Sequence, residues 1–192
     1  MAKLYFRYSA MNAGKSLDCL KVAFNYQERG QNVLILTSAL DDRYGVNKVK
    51  SRIGIEMEAT SISDNSDISS IFVNENLSKP ISCVLVDEVQ FLKKHHIKQL
   101  TEIVDKYDTP VICYGLRSTY KLEPFEGSMY LMVVADKIEE LKTICNCGSK
   151  AIVNAKIVDG KITTKGDNDI DIGGNEKYIS LCRKCFKAGK IK

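Results

Sequence analysis

At 192 residues, 44% hydrophobic and 27% charged, the chain has an ordinary globular composition, with apolar content for a sizeable core and a length that fits one domain with a small appendage. Its formal charge of +4 is mild and spread along the chain apart from a short basic end, KAGKIK; this suits a protein handling small polyanions and gives no sign of a nucleic-acid or membrane surface. No run approaches the roughly 18 apolar residues of a membrane span, and the N-terminus enters a strand with no signal-peptide profile, so a cytoplasmic protein is expected.

In chain order, KLYFRY from Lys3 to Tyr8 is a short aromatic-rich strand. A helical pattern follows Gly14 through Leu17, Leu20 and Phe24 to Gly30, a C-terminal cap. Between them, SAMNAGKS ends in the Gly-Lys-Ser of a phosphate-binding loop, G-x-x-x-x-G-K-[ST], with Ser9 in place of the first glycine. In such a loop backbone N–H groups point at phosphates, the lysine (Lys15) reaches the outer ones and the hydroxyl (Ser16) binds Mg²⁺. Gly14 lets the chain pass close to the phosphates, and the entry turn at Ser9 is expected at negative φ, so that glycine would serve there equally.

VLILTS (Val33 to Ser38), CVLVDE (Cys83 to Glu88) and VICYGL (Val111 to Leu116) are continuous apolar runs of strand length. Separated by helical segments, they predict a parallel sheet covered by helices. SISDNSDISS, from Ser61 to Ser70, reads as a polar surface connection. Asp87 falls at the carboxyl end of a buried strand, where open parallel sheets bind ligands and where an aspartate holds Mg²⁺ in nucleotide enzymes. Glu88 comes next and is free to act as a base. KKHHIKQLTEIVDKY sets Ile97, Leu100, Ile103, Val104 and Tyr107 on one helical stripe, with His95 and His96 as a solvated pair at its polar start. Cys19, Cys83 and Cys113, inside apolar stretches, read as small buried residues.

The pattern changes after about Thr143. AIVNAKIVDGKITTK is two alternating strands around Asp159-Gly160, a type I′ hairpin signal, and GDNDIDIGGNEKY beyond it is too polar and glycine-rich for regular structure. Flanking this stretch are the pairs Cys145/Cys147 and Cys182/Cys185. Two close pairs in a reducing compartment suit a closed structural Zn²⁺ site with four thiolates, an Fe–S cluster or redox dithiol being the alternative. The chain thus divides into a phosphate-loop domain, 1–143, and a metal-binding domain, 144–192. A nucleic-acid-binding ATPase with a zinc ribbon, Glu88 activating water, is a rival reading. It calls for a basic, aromatic stripe beside the metal, where GDNDIDIGGNE is acidic.

Together SAMNAGKS, DDRYG, VLVDEVQF, CYGLRSTY, both cysteine pairs and IGGNEKY resemble, in order and over nearly the whole chain, the type II thymidine kinases. The resemblance implies an α/β fold, a P-loop, RecA-like parallel sheet flanked by helices, with a small zinc-bound hairpin and lasso domain. It implies transfer of the γ-phosphate of ATP to the 5′-hydroxyl of thymidine, and of deoxyuridine, with Mg²⁺ as catalytic cofactor and Zn²⁺ as structural one. Ser9, Ala10, Met11, Asn12, Ala13, Gly14, Lys15 and Ser16 would cradle the phosphates, with Asp41, Arg43 and Gln90 on the nucleotide side. Asp87 would serve the Mg²⁺, and Glu88 would be the general base. Met11, Phe91, Leu116, Tyr120 and Phe125 would surround the thymine. Asp169, Ile170, Asp171, Ile172 and Gly173 would form a lasso reading the base through its backbone, and Tyr178 would close over the nucleoside. A homotetramer, feedback inhibition by thymidine triphosphate (dTTP) and a role in nucleotide salvage are implied as well, with no nucleic-acid or membrane partner.

Overall fold

A computed structural model describes residues 1–41, 45, 47–166 and 170–191. Its strands are β1 (Leu4–Ser9), β2 (Asn32–Ser38), β3 (Lys48–Lys50), β4 (Glu56–Glu58), β5 (Thr60–Ile62), β6 (Ile81–Asp87), β7 (Val111–Leu116), β8 (Lys137–Glu140), β9 (Thr143–Ile144), β10 (Lys150–Ala151), β11 (Val153–Val158), β12 (Lys161–Thr163) and β13 (Tyr178–Leu181). The helices are α1 (Lys15–Gln27), α2 (Ile68–Ser78), α3 (Lys94–Tyr107), α4 (Glu126–Val134) and α5 (Arg183–Lys187), with a 3₁₀ turn at Val89–Phe91. Six strands form one sheet in the order β5-β2-β6-β7-β1-β8, and every pairing in it is parallel.

The apolar runs form its centre because strands covered on both faces need no polar alternation. Along β6, Val84 and Val86 face one core and Cys83 and Leu85 the other. The first core takes Phe72 of α2, the Ile97, Leu100, Ile103 and Val104 stripe of α3, and Leu131 of α4. The second takes Cys19, Leu20 and Ala23 of α1. Cys19, Cys83 and Cys113 are fully buried, as expected. Arg7 on β1 bonds Asp18 of α1 (2.8 Å), the Tyr114 hydroxyl of β7 (3.0 Å) and Glu139 of β8 (2.8 Å), fastening the helix after the loop to three strands. Burial alone would raise the Asp18 carboxyl, but Lys21 and Arg7 outweigh it and hold it below its ordinary value.

Two expectations change. Ser61 to Ser70 is no mere connection: Thr60–Ile62 is the edge strand β5, and Asp67 caps α2 by accepting from Ser70 N–H, with Ile68 and Phe72 buried. The histidines also divide. His95 is exposed, whereas His96 is buried, its Nδ1 accepting from Lys93 N–H and its Nε2 lying 3.2 Å from Ser66 O. The ring therefore serves as a cap tying α3 to the start of α2.

The second unit is a three-stranded antiparallel sheet, β12-β11-β13, with the β9/β10 ladder beside it. Asp159 (φ 49°) and Gly160 (φ 70°) make its hairpin turn, both left-handed as a type I′ turn requires. Its small core is Ala151, Ala155 and Leu181 packed with Cys145 and Cys182.

Candidate active site

A cleft of about 510 Å³ opens at the carboxyl ends of the parallel strands, where such sheets bind ligands. β1 delivers the loop from Ser9 to Lys15, and positive φ at Asn12 (65°) and Gly14 (77°) turns it into α1. A Cβ at Gly14 would meet nothing within 4 Å, so the glycine is required by its backbone angle and not by crowding. Ser9 has no positive φ, as expected, but its hydroxyl is engaged. It accepts from Lys15 Nζ at 3.0 Å and donates to Ala10 O at 2.6 Å. Glycine at position 9 would lose these bonds, so it would not serve equally.

Asp87 ends β6 opposite this loop and is 3% exposed. Burial, followed by the charge of Glu88, raises its carboxyl to about 7 against the opposing Ser16 hydrogen bond and Lys15. Among the described residues, Asp87 Oδ1 is the buried side-chain polar atom without a hydrogen-bond partner. Such an orphan is costly unless something binds it. An oxygen of this kind beside the Ser16 hydroxyl is the donor chemistry that Mg²⁺ prefers, so these residues fit that ion.

Glu88 is held in a left-handed backbone conformation (φ 52°, ψ 35°), which for a residue other than glycine costs on the order of 1 kcal/mol or more. Gln90 locks it. Its Nε2 donates to the Glu88 carboxylate while its Oε1 accepts from Leu116 N–H at 3.0 Å, so the end of β7 fixes the acid. Close packing backs this arrangement. A Cβ at Gly115 would lie 2.9 Å from Gln90 Oε1, and one at Gly127 of α4 would lie 2.3 Å from Val89 O.

At the other end of the cleft Phe91 and Phe125 meet edge to face (5.7 Å, 87°), and Met11, Tyr120 and Tyr178 cluster with Leu116 beside them. The segment Ile170 to Gly173 closes this end. The Asp171 carboxylate is paired with Lys156 (2.6 Å) and Lys177 (3.1 Å), which hold it below its ordinary value, and the Tyr178 hydroxyl donates to Asp171 O. Burial raises the Tyr178 phenol.

The cleft therefore gathers Met11, Asn12, Gly14, Lys15, Ser16, Asp41, Asp87, Glu88, Gln90, Phe91, Leu116, Tyr120, Phe125, Ile170, Asp171, Ile172, Gly173 and Tyr178. Ser9 and Ala10 are buried behind the loop and Ala13 is half-buried, none of them lining the cleft. Arg43 and Asp169 lie outside the described residues. Sequence reasoning missed Asn154 and Ser180. From the second unit, Asn154 Oδ1 accepts from Met11 N–H at 2.7 Å and Ser180 Oγ donates to Met11 O at 2.7 Å. It also missed Arg52, at the β3–β4 hairpin, which donates to Asn175 Oδ1 at 2.6 Å. Each is an ordinary polar residue in an ordinary pattern, with no local signal to single it out.

Away from the cleft, the sulfurs of Cys145, Cys147, Cys182 and Cys185 all lie within 4.8 Å of one another. A tetrahedral Zn²⁺ with Zn–S near 2.3 Å sets sulfurs about 3.8 Å apart, and Cys147 and Cys182 are at 3.7 Å. Gly148 (φ 84°) makes the tight turn behind the first pair, and Cys182 Sγ accepts from Cys185 N–H in the second. The cluster fits zinc.

The thymidine kinase family model matches residues 2–186. The chain is 52% identical over 194 residues to a thymidine kinase of Francisella tularensis subsp. holarctica, covering 98% of each chain. It is 53% identical over 188 residues to one of Vibrio cholerae, covering 97% of each. A thymidine kinase of Zymomonas mobilis is 44% identical over 186 residues, covering 97% of this chain and 96% of its own. With the match running end to end over the same elements that build the cleft and the cysteine cluster, the chain belongs to the thymidine kinase family.

Proposed function

We propose that the chain transfers the γ-phosphate of ATP to the 5′-hydroxyl of thymidine, in nucleotide salvage in the cytoplasm. The observation carrying this reading is one cleft lined both by a phosphate loop with an acid pair and by an aromatic cluster with the Ile170 to Gly173 segment. Phosphoryl transfer needs positioning and charge stabilisation more than covalent chemistry. Loop amides from Asn12 to Ser16 and the Lys15 ammonium hold the phosphates. Asp87 and Ser16 would hold Mg²⁺, which when bound would neutralise charge developing on the phosphoryl group. Glu88, fixed by Gln90, takes the proton from the attacking hydroxyl. Asp41, Arg43 and Gln90 flank the nucleotide.

Met11, Phe91, Leu116, Tyr120 and Phe125 enclose the base, Tyr178 covers it, and main-chain groups of Asp169 to Gly173 read its edge. The four cysteines hold a structural Zn²⁺ in a domain spanning 144–192, beside a kinase domain spanning 1–143. Such a binding site discriminates unevenly. A missing methyl costs about 1 to 3 kcal/mol, whereas a base with the wrong hydrogen-bonding edge leaves buried groups unpaired and is rejected far more strongly. Deoxyuridine should be a substrate and deoxycytidine should not. Incubating the protein with Mg²⁺, ATP and a nucleoside panel tests this: thymidine monophosphate is expected. Efficient deoxycytidine phosphorylation would sink the base assignment, and DNA-stimulated ATP hydrolysis that ignores thymidine would sink the function.

A homotetramer inhibited by dTTP completes the reading. Support for self-association comes from α4, where Met129, Met132, Val133 and Val134 are exposed, and from Ile138 on the edge strand β8 beside it. Light scattering giving a monomer mass would overturn it.

A further inference from the structure

The second unit grips the phosphate loop by its main chain. Asn154 on β11 and Ser180 on β13 are direct cross-strand partners, so their side chains leave the sheet side by side. Both are buried, at 4% and 5% exposed, and both end on Met11: Asn154 takes its N–H and Ser180 its carbonyl, each at 2.7 Å. A third bond follows one residue on, Thr143 Oγ1 donating to Asn12 O at 3.2 Å. Asn12 is where the loop turns left-handed, so the bonds fall at the point where its path is decided. Ser180 lies two residues before Cys182, and Leu181 between them belongs to the core packed on the cysteine cluster.

We infer that Asn154 and Ser180 are positioning residues that set the phosphate loop through the Met11 main chain, so that the cysteine-bound unit controls the ATP end of the cleft as well as the base end. This deepens the kinase reading and rests on it. The two peptide groups flanking Met11 are held, Ala10–Met11 by its N–H and Met11–Asn12 by its C=O, so neither can rotate freely against the rigid sheet, and the loop amides that follow keep their aim at a phosphate. Freed, these peptides can turn, and the loop must be reordered each time ATP binds.

Ser180 gives the clean test, because it does not line the cleft and so reaches the ligands only through Met11. Ser180→Ala should raise the KM for ATP by roughly 5- to 100-fold, the range for leaving a buried partner unsatisfied, with the four-thiolate metal content unchanged. Ser180→Thr, which keeps the hydroxyl on a strand, should restore the KM to within about threefold of wild type. A metal-replete Ser180→Ala protein with wild-type KM for ATP overturns the inference, as does failure of threonine to rescue. Should Ser180→Ala be poorly folded by melting and metal analysis, Ser180→Cys keeps the volume with only a weak donor, and the same KM comparison decides. A wild-type protein that makes no thymidine monophosphate would instead overturn the kinase reading itself, so the two failures are distinguishable.

Discussion

Asp87 should make the proposed site sensitive to pH in a way that melting alone can read. Its carboxyl titrates at about 7 in the fold, raised by burial and then by Glu88, against 3.8 for an ordinary aspartate. The folded value is the higher one, so the fold favours the protonated acid. Its contribution to stability is fully present below the unfolded value and is lost as pH rises through about 7. The distance between the two values corresponds to about 4 kcal/mol, an upper bound because the buried site can admit water. Mg²⁺ binds the ionised form, and so competes with the proton. Below pH 7 each unit of pH should weaken its apparent affinity about tenfold, and above about pH 8 the dependence should flatten. The assay is thermal melting of wild type and Asp87→Asn from about pH 5 to about pH 8.5, with and without Mg²⁺. Without metal, wild type should lose stability relative to the variant as pH rises from about 5 to about 7 and level off above that, by up to about 10 °C in all for a chain of this size. Mg²⁺ should restore wild type only on the alkaline side and leave the variant unmoved. Parallel pH profiles for the two proteins would refute the reasoning, as would a Mg²⁺ effect on wild type that is flat across this range.

Glu88→Gln should lower turnover by roughly 10² to 10⁴, the scale for loss of a general base, while ATP still raises the melting temperature. Near wild-type turnover would remove Glu88 from that role. Asp171→Asn gives up part of two partly buried ion pairs, each worth about 1 kcal/mol, and should raise the KM for thymidine roughly 3- to 10-fold with little change for ATP; an unchanged thymidine KM would show that Lys156 and Lys177 do not set the loop. Stripping the metal with a chelator should expose 144–192 to limited proteolysis and abolish thymidine phosphorylation, since binding by four thiolates is worth on the order of 10 kcal/mol. A metal-free protein that stays protease-resistant and active would contradict that coupling.

What the sequence made legible was whatever is local in the chain. The phosphate loop, the acid pair ending an apolar strand, the Asp159-Gly160 turn and the cysteine pairs are short patterns whose spacing alone carries their physics. The central strands were legible because burial on both faces leaves unbroken apolar runs. β5 and α2 were not, because an edge strand of three residues and a helix burying only Ile68 and Phe72 in a serine-rich stretch leave little periodicity. His96 was misread for a related reason: its partners include Ser66, 30 residues back, which makes a polar residue at a helix start into a buried cap. Asn154 and Ser180 stand 143 and 169 residues from Met11 and acquire their role only when the two units pack.

The site is also where local rules are broken. Four of the six described non-glycine residues with positive φ are Asn or Asp, which adopt it at little cost; the others are Leu122, in a surface turn, and Glu88. Glu88 is next to Asp87, the carboxylate with an unpartnered oxygen. A strained acid following an underbonded one is a poor arrangement for folding alone, and it persists because its surroundings over-determine it. Gln90 ties the strained residue to β7, Gly127 lets α4 press within contact of Val89 O, and the second unit fixes the loop on the opposite wall. Of these supports only Gln90 touches a reacting group of the proposed mechanism, the Glu88 carboxylate. Their common effect is to hold the Asp87–Glu88 corner and the phosphate loop at a fixed separation before any ligand arrives, the preorganisation on which phosphoryl transfer depends.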